Sequence, residues 1–330
     1  MIDMNLLERL TQAHGTAGDE GEIRQLIRTA AIPYGDSVTE DALGNLIVNK
    51  KGTGKKIMLA AHMDGMGFMV THYEKEGVLR FAPVGGLDPA SILQAPVRFP
   101  NNVYGVISCD DNKLGKELKM TDLFLDIGAK DEDEARKLVQ VGDTAVYATP
   151  FLKTGNRVMA PYLDNRAGCL VLLEAMKQMK DTENDLSFVF TTQEEVGTRG
   201  AQPAAYALEP DYALVVDVTC PDDIPGALHE GTTAVGKGAA IKIMDHSVIS
   251  SPSVVQKLNQ LAQEKNISAQ NDVLTCGGTD GGPIHRSRSG VLTGGVSIPC
   301  RYTHAPVELI DLNDLEECVR LVCAFCESEL

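Results

Sequence analysis

An α/β protein whose catalytic domain is interrupted by a small β-rich insertion is the fold the sequence predicts, and three observations predict it. Short apolar runs alternate with helical spacing around residues 45–61 and again beyond 161, the pattern of βα units on a mostly parallel sheet. Between them, residues 67–158 read as short alternating runs broken by Gly, Pro and Asn, the signature of a compact β domain. Side chains suited to metal binding stand at strand exits on both flanks of this interruption. The simplest organisation is therefore one discontinuous catalytic domain, residues 1–66 plus 159–330, with residues 67–158 inserted.

Residues 5–13 and 20–31 have helical spacing, and Asp19 is placed to cap the second helix. Residues 45–49 and 57–61 are strand-like, the second delivering His62 and Asp64 at its exit. Residues two apart on an extended chain face one side, so both can serve one site. In the insertion, residues 68–73, 78–81, 103–108 and 144–147 read as strands, and the charged stretch 129–140 supplies one short helix. After Pro161 come a helix over 165–179 and strands over 186–192, 212–217 and 239–244. A helix over 252–265, strands near 269–275 and 291–298, and an amphipathic helix over 312–326 complete the chain.

With 330 residues, 43% of them hydrophobic, and no repeat, the chain can bury a substantial core. A net charge of -16 argues against a nucleic-acid partner, whose backbone is read by clustered Lys and Arg, and against an anionic membrane surface. The opening residues Met1-Ile2-Asp3-Met4-Asn5 carry acid where a secretory signal carries base, and no run of 18 apolar residues exists. A cytoplasmic protein is expected, and its eight cysteines should stay reduced. Cys323 and Cys326 have redox spacing but lie in a helical apolar pattern that points to core packing, as do Cys109 and Cys169.

Five separated segments end in metal-grade ligands: His62-Met63-Asp64, Asp164, Gln193-Glu194-Glu195, Asp217 and Tyr302-Thr303-His304. An open α/β sheet places its chemistry outside the carboxyl ends of its strands, and imidazoles with carboxylates gathered there suit two divalent cations. With His62, Asp164, Glu195, Asp217 and His304 as ligands, three carboxylates against two dications leave one positive charge, which a bridging hydroxide would cancel while serving as nucleophile. Asp164, at the mouth of a helix, is the natural bridge between cations about 3.5–4 Å apart. Adjacent side chains on an extended segment diverge, so one of Glu194 and Glu195 should bind metal while the other faces the water as general base. Asp64 suits a role orienting His62.

His14, His72, His229, His246 and His285 lack such company and read as structural. No His-Glu-x-x-His, Gly-x-Ser-x-Gly or Walker sequence is present. The glycine-rich run at residues 276–282 reads as a tight turn lining the substrate pocket.

The stretches Ala60-Ala-His-Met-Asp64, Pro83-Val-Gly-Gly-Leu-Asp-Pro89, Leu163-Asp-Asn-Arg-Ala-Gly-Cys169, Thr192-Gln-Glu-Glu-Val-Gly197 with Arg199-Gly-Ala201, Asp217-Val-Thr219, Gly278-Thr-Asp280 and Arg301-Tyr-Thr-His-Ala-Pro-Val-Glu308 occur in this order across nearly the whole chain. Together they resemble the M42 family of dinuclear metallo-aminopeptidases, some of whose members are labelled glutamyl or deblocking aminopeptidases or endoglucanases. The resemblance implies a three-layer α/β/α phosphorylase/hydrolase-like catalytic domain with an inserted β-barrel-like domain for dimerisation and assembly, its dimers building dodecamers. It also implies peptide substrates and two divalent metal ions per subunit, zinc first, with cobalt or manganese as alternatives. By that resemblance His62, Asp164 and Asp217 hold one ion and Asp164, Glu195 and His304 the other, with Glu194 as general base and Asp64 as orienting acid.

Two departures stand out. Relatives commonly carry Glu after His-Met-Asp, where this chain has Gly65, and the segment from Cys220 to Asp223 replaces a more usual small-residue version. Three other functions compete with aminopeptidase. An impaired scaffold or binding protein would show substituted ligands, and none is substituted. An endoglucanase-type glycosidase would need two carboxylates across a sugar, and the chain has no Trp and only 5% aromatic residues for stacking. A dinuclear deacetylase or carboxypeptidase shares the metal core, and only the resemblance separates it.

Overall fold

The computed structural model describes residues 2–113, 115–228 and 230–330. Two amphipathic helices open the chain, α1 (Met4–Gln12) and α2 (Gly21–Ala31). Leu7, Leu10, Ile23 and Ile27, spaced three or four apart, bury one stripe of each. Asp3 caps α1, its carboxylate accepting from the Leu6 amide at 3.0 Å. Asp19 does not cap α2, contrary to the expectation from sequence: that helix starts after Glu20 with no side-chain cap. The Asp19 carboxylate instead accepts from Thr144 Oγ1 at 2.7 Å and lies 2.9 Å from His14 Nε2. A contact to a distant strand has replaced the local cap.

The strands β1 (Ser37–Glu40), β2 (Leu46–Lys50) and β3 (Lys56–His62) follow. Next come β4 (Gly67–Tyr73), β5 (Leu79–Val84), α3 (Pro89–Ile92), β6 (Pro96–Arg98), β7 (Tyr104–Cys109), β8 (Leu123–Asp126), α4 (Glu132–Leu138) and β9 (Thr144–Tyr147). These six strands close into a barrel in the order β4-β5-β8-β7-β6-β9, so none is left as an open edge. The barrel has its own core, in which Phe68 meets Phe81 and Tyr147 edge-on, each at 5.3 Å between ring centroids. The sequence pattern missed β6, three residues long, and β8, whose four residues follow a charged and polar stretch although Leu123 and Leu125 enter the barrel core.

The remaining elements are β10 (Leu152–Thr154), β11 (Arg157–Ala160), α5 (Leu163–Gln178), β12 (Asp185–Thr191), α6 (Ala201–Leu208), β13 (Tyr212–Thr219), β14 (Ala239–Met244), α7 (Pro252–Glu264), β15 (Ala269–Val273), α8 (Gly281–His285), β16 (Leu292–Pro299), β17 (Glu308–Asp311) and α9 (Leu312–Glu327). One eight-stranded sheet runs in the order β1-β2-β12-β3-β13-β16-β14-β15, and β10, β11 and β17 form a small second sheet. Its centre, β12, β3, β13 and β16, is parallel.

Side-chain alternation builds the layers. In β3, Ile57, Leu59 and Ala61 join the core beneath α1, α2, α5, α7 and α9, whereas Met58 and Ala60 join the core beneath α6 and α8. The result is the expected three-layer α/β/α sandwich with a closed barrel attached. All eight cysteines are free, and Cys109, Cys169 and Cys326 are buried. No helix among the described residues is long and apolar enough to cross a membrane.

One buried ion pair supports the sheet near its functional edge. Lys242 of β14 and Asp272 of β15 are paired in register, with Nζ 2.6 Å from Oδ2, and the same Nζ donates to Thr219 Oγ1 at 3.2 Å. Replacing Lys242 with Met strands a buried carboxylate, which costs about 3–5 kcal/mol. Urea denaturation should show that loss for K242M and recover most of it in the K242M/D272L double variant.

Candidate functional site

The carboxyl ends of the parallel strands converge on one edge of the sheet. His62 is the last residue of β3, level with Thr191 at the end of β12, and Asp217 lies two residues before the end of β13. Asp164 begins α5, where it and Asn165 leave helical angles and share a cis peptide bond. Glu194 and Glu195 follow β12, and His304 follows β16.

All five residues predicted as metal ligands meet there. His62 Nε2 lies 3.2 Å from Asp164 Oδ1 and 3.5 Å from Asp217 Oδ1. His304 Nε2 lies 3.4 Å from Asp164 Oδ2 and 3.5 Å from Glu195 Oε2. The two oxygens of one carboxylate therefore face two different imidazoles. Donors at about 2.0–2.2 Å from a shared tetrahedral cation stand roughly 3.3–3.6 Å apart, close to these spacings. Ligand atoms of His62, Asp164 and Glu195 all lie within 4.8 Å of one another.

Two atoms in this cluster test the fit further. Asp164 Oδ1 and Glu195 Oε1 are buried with no hydrogen-bond partner among the described residues, although buried polar atoms are nearly always satisfied. The donor set of imidazole nitrogen and carboxylate oxygen also suits zinc-like cations. The residues present fit a divalent metal.

Backbone carbonyls set both imidazole tautomers. His62 Nδ1 is 3.2 Å from the Asp64 carbonyl, and His304 Nδ1 is 2.7 Å from that of Gly86. A carbonyl only accepts, so each Nδ1 carries a proton, and it is each Nε2 that faces the acids and would offer its lone pair once a cation displaces its proton.

Asp64, expected as the acid that orients His62, reaches that ring with its carbonyl and stands with Oδ1 3.6 Å from His62 Nδ1, and the same carboxylate also holds the neighbouring turn. Oδ1 accepts from the Glu194 amide at 2.9 Å and Oδ2 from the Glu195 amide at 3.1 Å. The segment holding those glutamates is not extended, as sequence reasoning assumed. Gln193 takes φ 55°, and the Gly197 and Thr198 amides both close onto the Glu194 carbonyl. The two side chains part company because the chain turns.

Sequence reasoning gave no role to Glu308, Gly86 or Tyr147. Glu308 is fully buried and accepts from the Asp164 amide with one oxygen and the His304 amide with the other, each at 2.8 Å. Tyr147 OH donates to the His304 carbonyl at 3.2 Å. Gly86 and Glu308 stand in two of the stretches quoted above, which was the available signal; Tyr147 stands in none. His14 and His285 are structural as expected, His14 beside Asp19 and His285 with Nδ1 2.9 Å from the Gly281 carbonyl. His229 lies outside the described residues.

At Gly65, a Cβ would stand 2.7 Å from Tyr162 Cδ1. Tyr162 stacks on Tyr147 at 5.6 Å and its hydroxyl accepts from the Tyr147 amide at 2.6 Å. The space beside Gly65 is thus filled by an aromatic ring.

So many acids in one dry place distort each other's titration. Burial pushes Glu194 and Glu308 well above the usual carboxylate range, and it pushes Glu195 up to about 8 and Asp280 to about 7. Burial opposes charge on His304, but Asp164 and Glu195 override it and hold the imidazole at about 10. A concentration of negative charge of this kind calls for cations.

A cleft of about 500 Å³ opens over the cluster, walled by Val218, Thr219, Leu274, Cys276, Gly278 and Thr303. No Lys or Arg among the described residues lines it.

The family model for M42 glutamyl aminopeptidases matches residues 44–321. The lysyl aminopeptidase of Pyrococcus furiosus is 32% identical, aligned over 99% of this chain and 97% of its own length. Among solved structures, aminopeptidase APDkam598 from the archaeon Desulfurococcus kamchatkensis superposes with a TM-score of 0.95 at 36% identity, covering 99% of this chain and 94% of that one. The TET1 peptidase of Pyrococcus horikoshii, which can assemble into a tetrahedron or a large octahedral shell, superposes with a TM-score of 0.89 at 34% identity over 99% of both chains. By fold and sequence over nearly its full length, this chain belongs to the M42 family of glutamyl aminopeptidases.

Proposed function

We propose that the protein is a cytoplasmic, metal-dependent aminopeptidase that removes N-terminal residues from peptides. The observation carrying this reading is Asp164, whose two oxygens face separate imidazoles at 3.2 and 3.4 Å. His62, Asp164 and Asp217 would hold one divalent cation and Asp164, Glu195 and His304 a second, with zinc as the first candidate and cobalt or manganese as alternatives. Cations bound there would polarise the scissile carbonyl and acidify the attacking water.

Glu194 lines the same cleft without belonging to either ligand set. Its carboxylate takes the proton from the water and passes it to the departing amine. Asp64 and Glu308 position the reacting groups, the first by gripping the turn that carries Glu194 and Glu195, the second by gripping Asp164 and His304.

The cleft favours an amine end over a carboxylate end. Among the described residues it offers carboxylates and no Lys or Arg, so a free ammonium finds counter-charge and the terminal carboxylate required of a carboxypeptidase substrate does not. The glycosidase scheme loses its second acid, because both Asp64 oxygens already accept backbone amides. A scaffold without metal would leave the Asp164 and Glu195 oxygens unsatisfied for no gain. We also propose that subunits associate through the barrel, which exposes Met69, Tyr104 and Val141, as dimers that build a dodecamer.

Glu194→Gln should retain the metal content of the wild type, measured by elemental analysis, while turnover of aminoacyl anilides falls by about 10²–10⁴-fold. Full peptidase rate in E194Q would refute its role. Asp164→Ala is expected to lower metal content per subunit and abolish turnover together, and dialysis against a chelator should do the same to the wild type until zinc, cobalt or manganese is restored.

A further inference from the structure

We infer that the cleft selects an uncharged, apolar N-terminal residue, whose side chain rests against a wall formed by Leu274 and Cys276. This deepens the aminopeptidase reading and rests on it.

Every charged side chain lining the cleft stands at its catalytic end: His62, Asp164, Glu194, Glu195, Asp217 and His304. Each is already engaged by the ligand sets or the proton transfer. What remains for a substrate side chain is Val218 and Leu274, the thiols of Cys220 and Cys276, four threonines (Thr198, Thr219, Thr279 and Thr303) and glycine backbone. None of these carries a charge opposite to a glutamyl carboxylate or a lysyl ammonium, and the exposed Glu230 carboxylate beside the wall is engaged with the Cys276 thiol.

Three hydroxyls of that wall, those of Thr219, Thr279 and Thr303, are turned to internal partners. Thr219 Oγ1 donates to Asp272 Oδ1 at 3.1 Å and accepts from Lys242 Nζ at 3.2 Å. Thr303 Oγ1 donates to the Cys300 carbonyl at 3.2 Å and sits 3.4 Å from Cys220 Sγ. Thr279 Oγ1 donates to Asp245 Oδ2 at 2.9 Å. The nearest buried cation, Lys242, is spent on Asp272 beneath Thr219 and does not line the cleft. Burial pushes the Cys220 thiol up, and burial together with the neighbouring Glu230 carboxylate pushes up that of Cys276, so both stay neutral at physiological pH.

A charged side chain entering this wall would lose its hydration and meet no opposite charge within the wall itself. An aliphatic or thioether side chain would bury its surface against Leu274 and sulfur.

The test uses the full-length, metal-loaded protein with leucyl, methionyl, glutamyl and lysyl p-nitroanilides. The expected result is kcat/KM for leucyl and methionyl at least about tenfold above the other two, the order of selectivity that hydrophobic pockets achieve. Glutamyl or lysyl turnover equal to or above leucyl overturns the inference. Failure to hydrolyse any of the four overturns the aminopeptidase reading itself, and this inference with it.

A second readout does not depend on turnover. Leucinol should slow maleimide labelling of Cys276, followed by peptide mass spectrometry, and lysinol should not; labelling indifferent to leucinol overturns the wall assignment. In C276R, whose position is half-exposed, the glutamyl-to-leucyl ratio should rise at least about tenfold. An unchanged ratio counts against Cys276, and the wild-type panel decides the matter should that variant not fold.

Discussion

A single carboxylate between two imidazoles is the constraint around which the molecule is arranged. Asp164 can show one oxygen to each side only if its backbone, both histidines and the neighbouring acids are held to within a few tenths of an ångström. Glu308 meets much of that demand, since its two oxygens grip the amides of Asp164 and His304. Removing either ligand from this grip would leave a buried acceptor unpaired. Carbonyls fix the rings, and α5, buried along most of its length between sheet and helices, fixes the backbone of Asp164.

The barrel and the sandwich share this site. Gly86, just past β5, orients the His304 ring, and Tyr147 of β9 holds the His304 carbonyl. Thr144 of the same strand reaches Asp19 at the start of the chain. Arg166 ties the other side, buried to 1% exposure, donating to the Leu10 and Gly15 carbonyls without an acid partner. Any association of subunits through the barrel thus lies one strand away from a candidate ligand. Were subunits to associate there, that contact would be mechanically joined to the chemistry through His304.

What the sequence shows clearly are features with a local cause. The alternation in β14 (Ala239–Met244) and the heptad-like apolar spacing of α9 (Leu312–Glu327) agree with the structure nearly to the residue, because period and burial face are encoded within each segment. His62, Asp164, Asp217 and His304 are visible because strand exits can be read without knowing the fold. Glu308 could not be given its role that way, since it reaches Asp164 across 144 positions. Asp64 likewise clamps a turn 130 residues away, and Asp19 abandons its helix for Thr144. The turn at Gln193 and the left-handed backbone of Tyr302 and His304, at φ 62° and 70°, are also opaque from sequence. Such angles persist only when tertiary contacts over-determine them.

The ring of Tyr162 against Gly65 has an evolutionary corollary. With 2.7 Å between the aromatic edge and any first side-chain carbon, these two positions are not free to drift independently. A larger residue at 65 would have to displace the tyrosine, and with it the stack on Tyr147 and the hydroxyl that accepts from a barrel amide. Exchange at one position is thereby coupled sterically to exchange at the other.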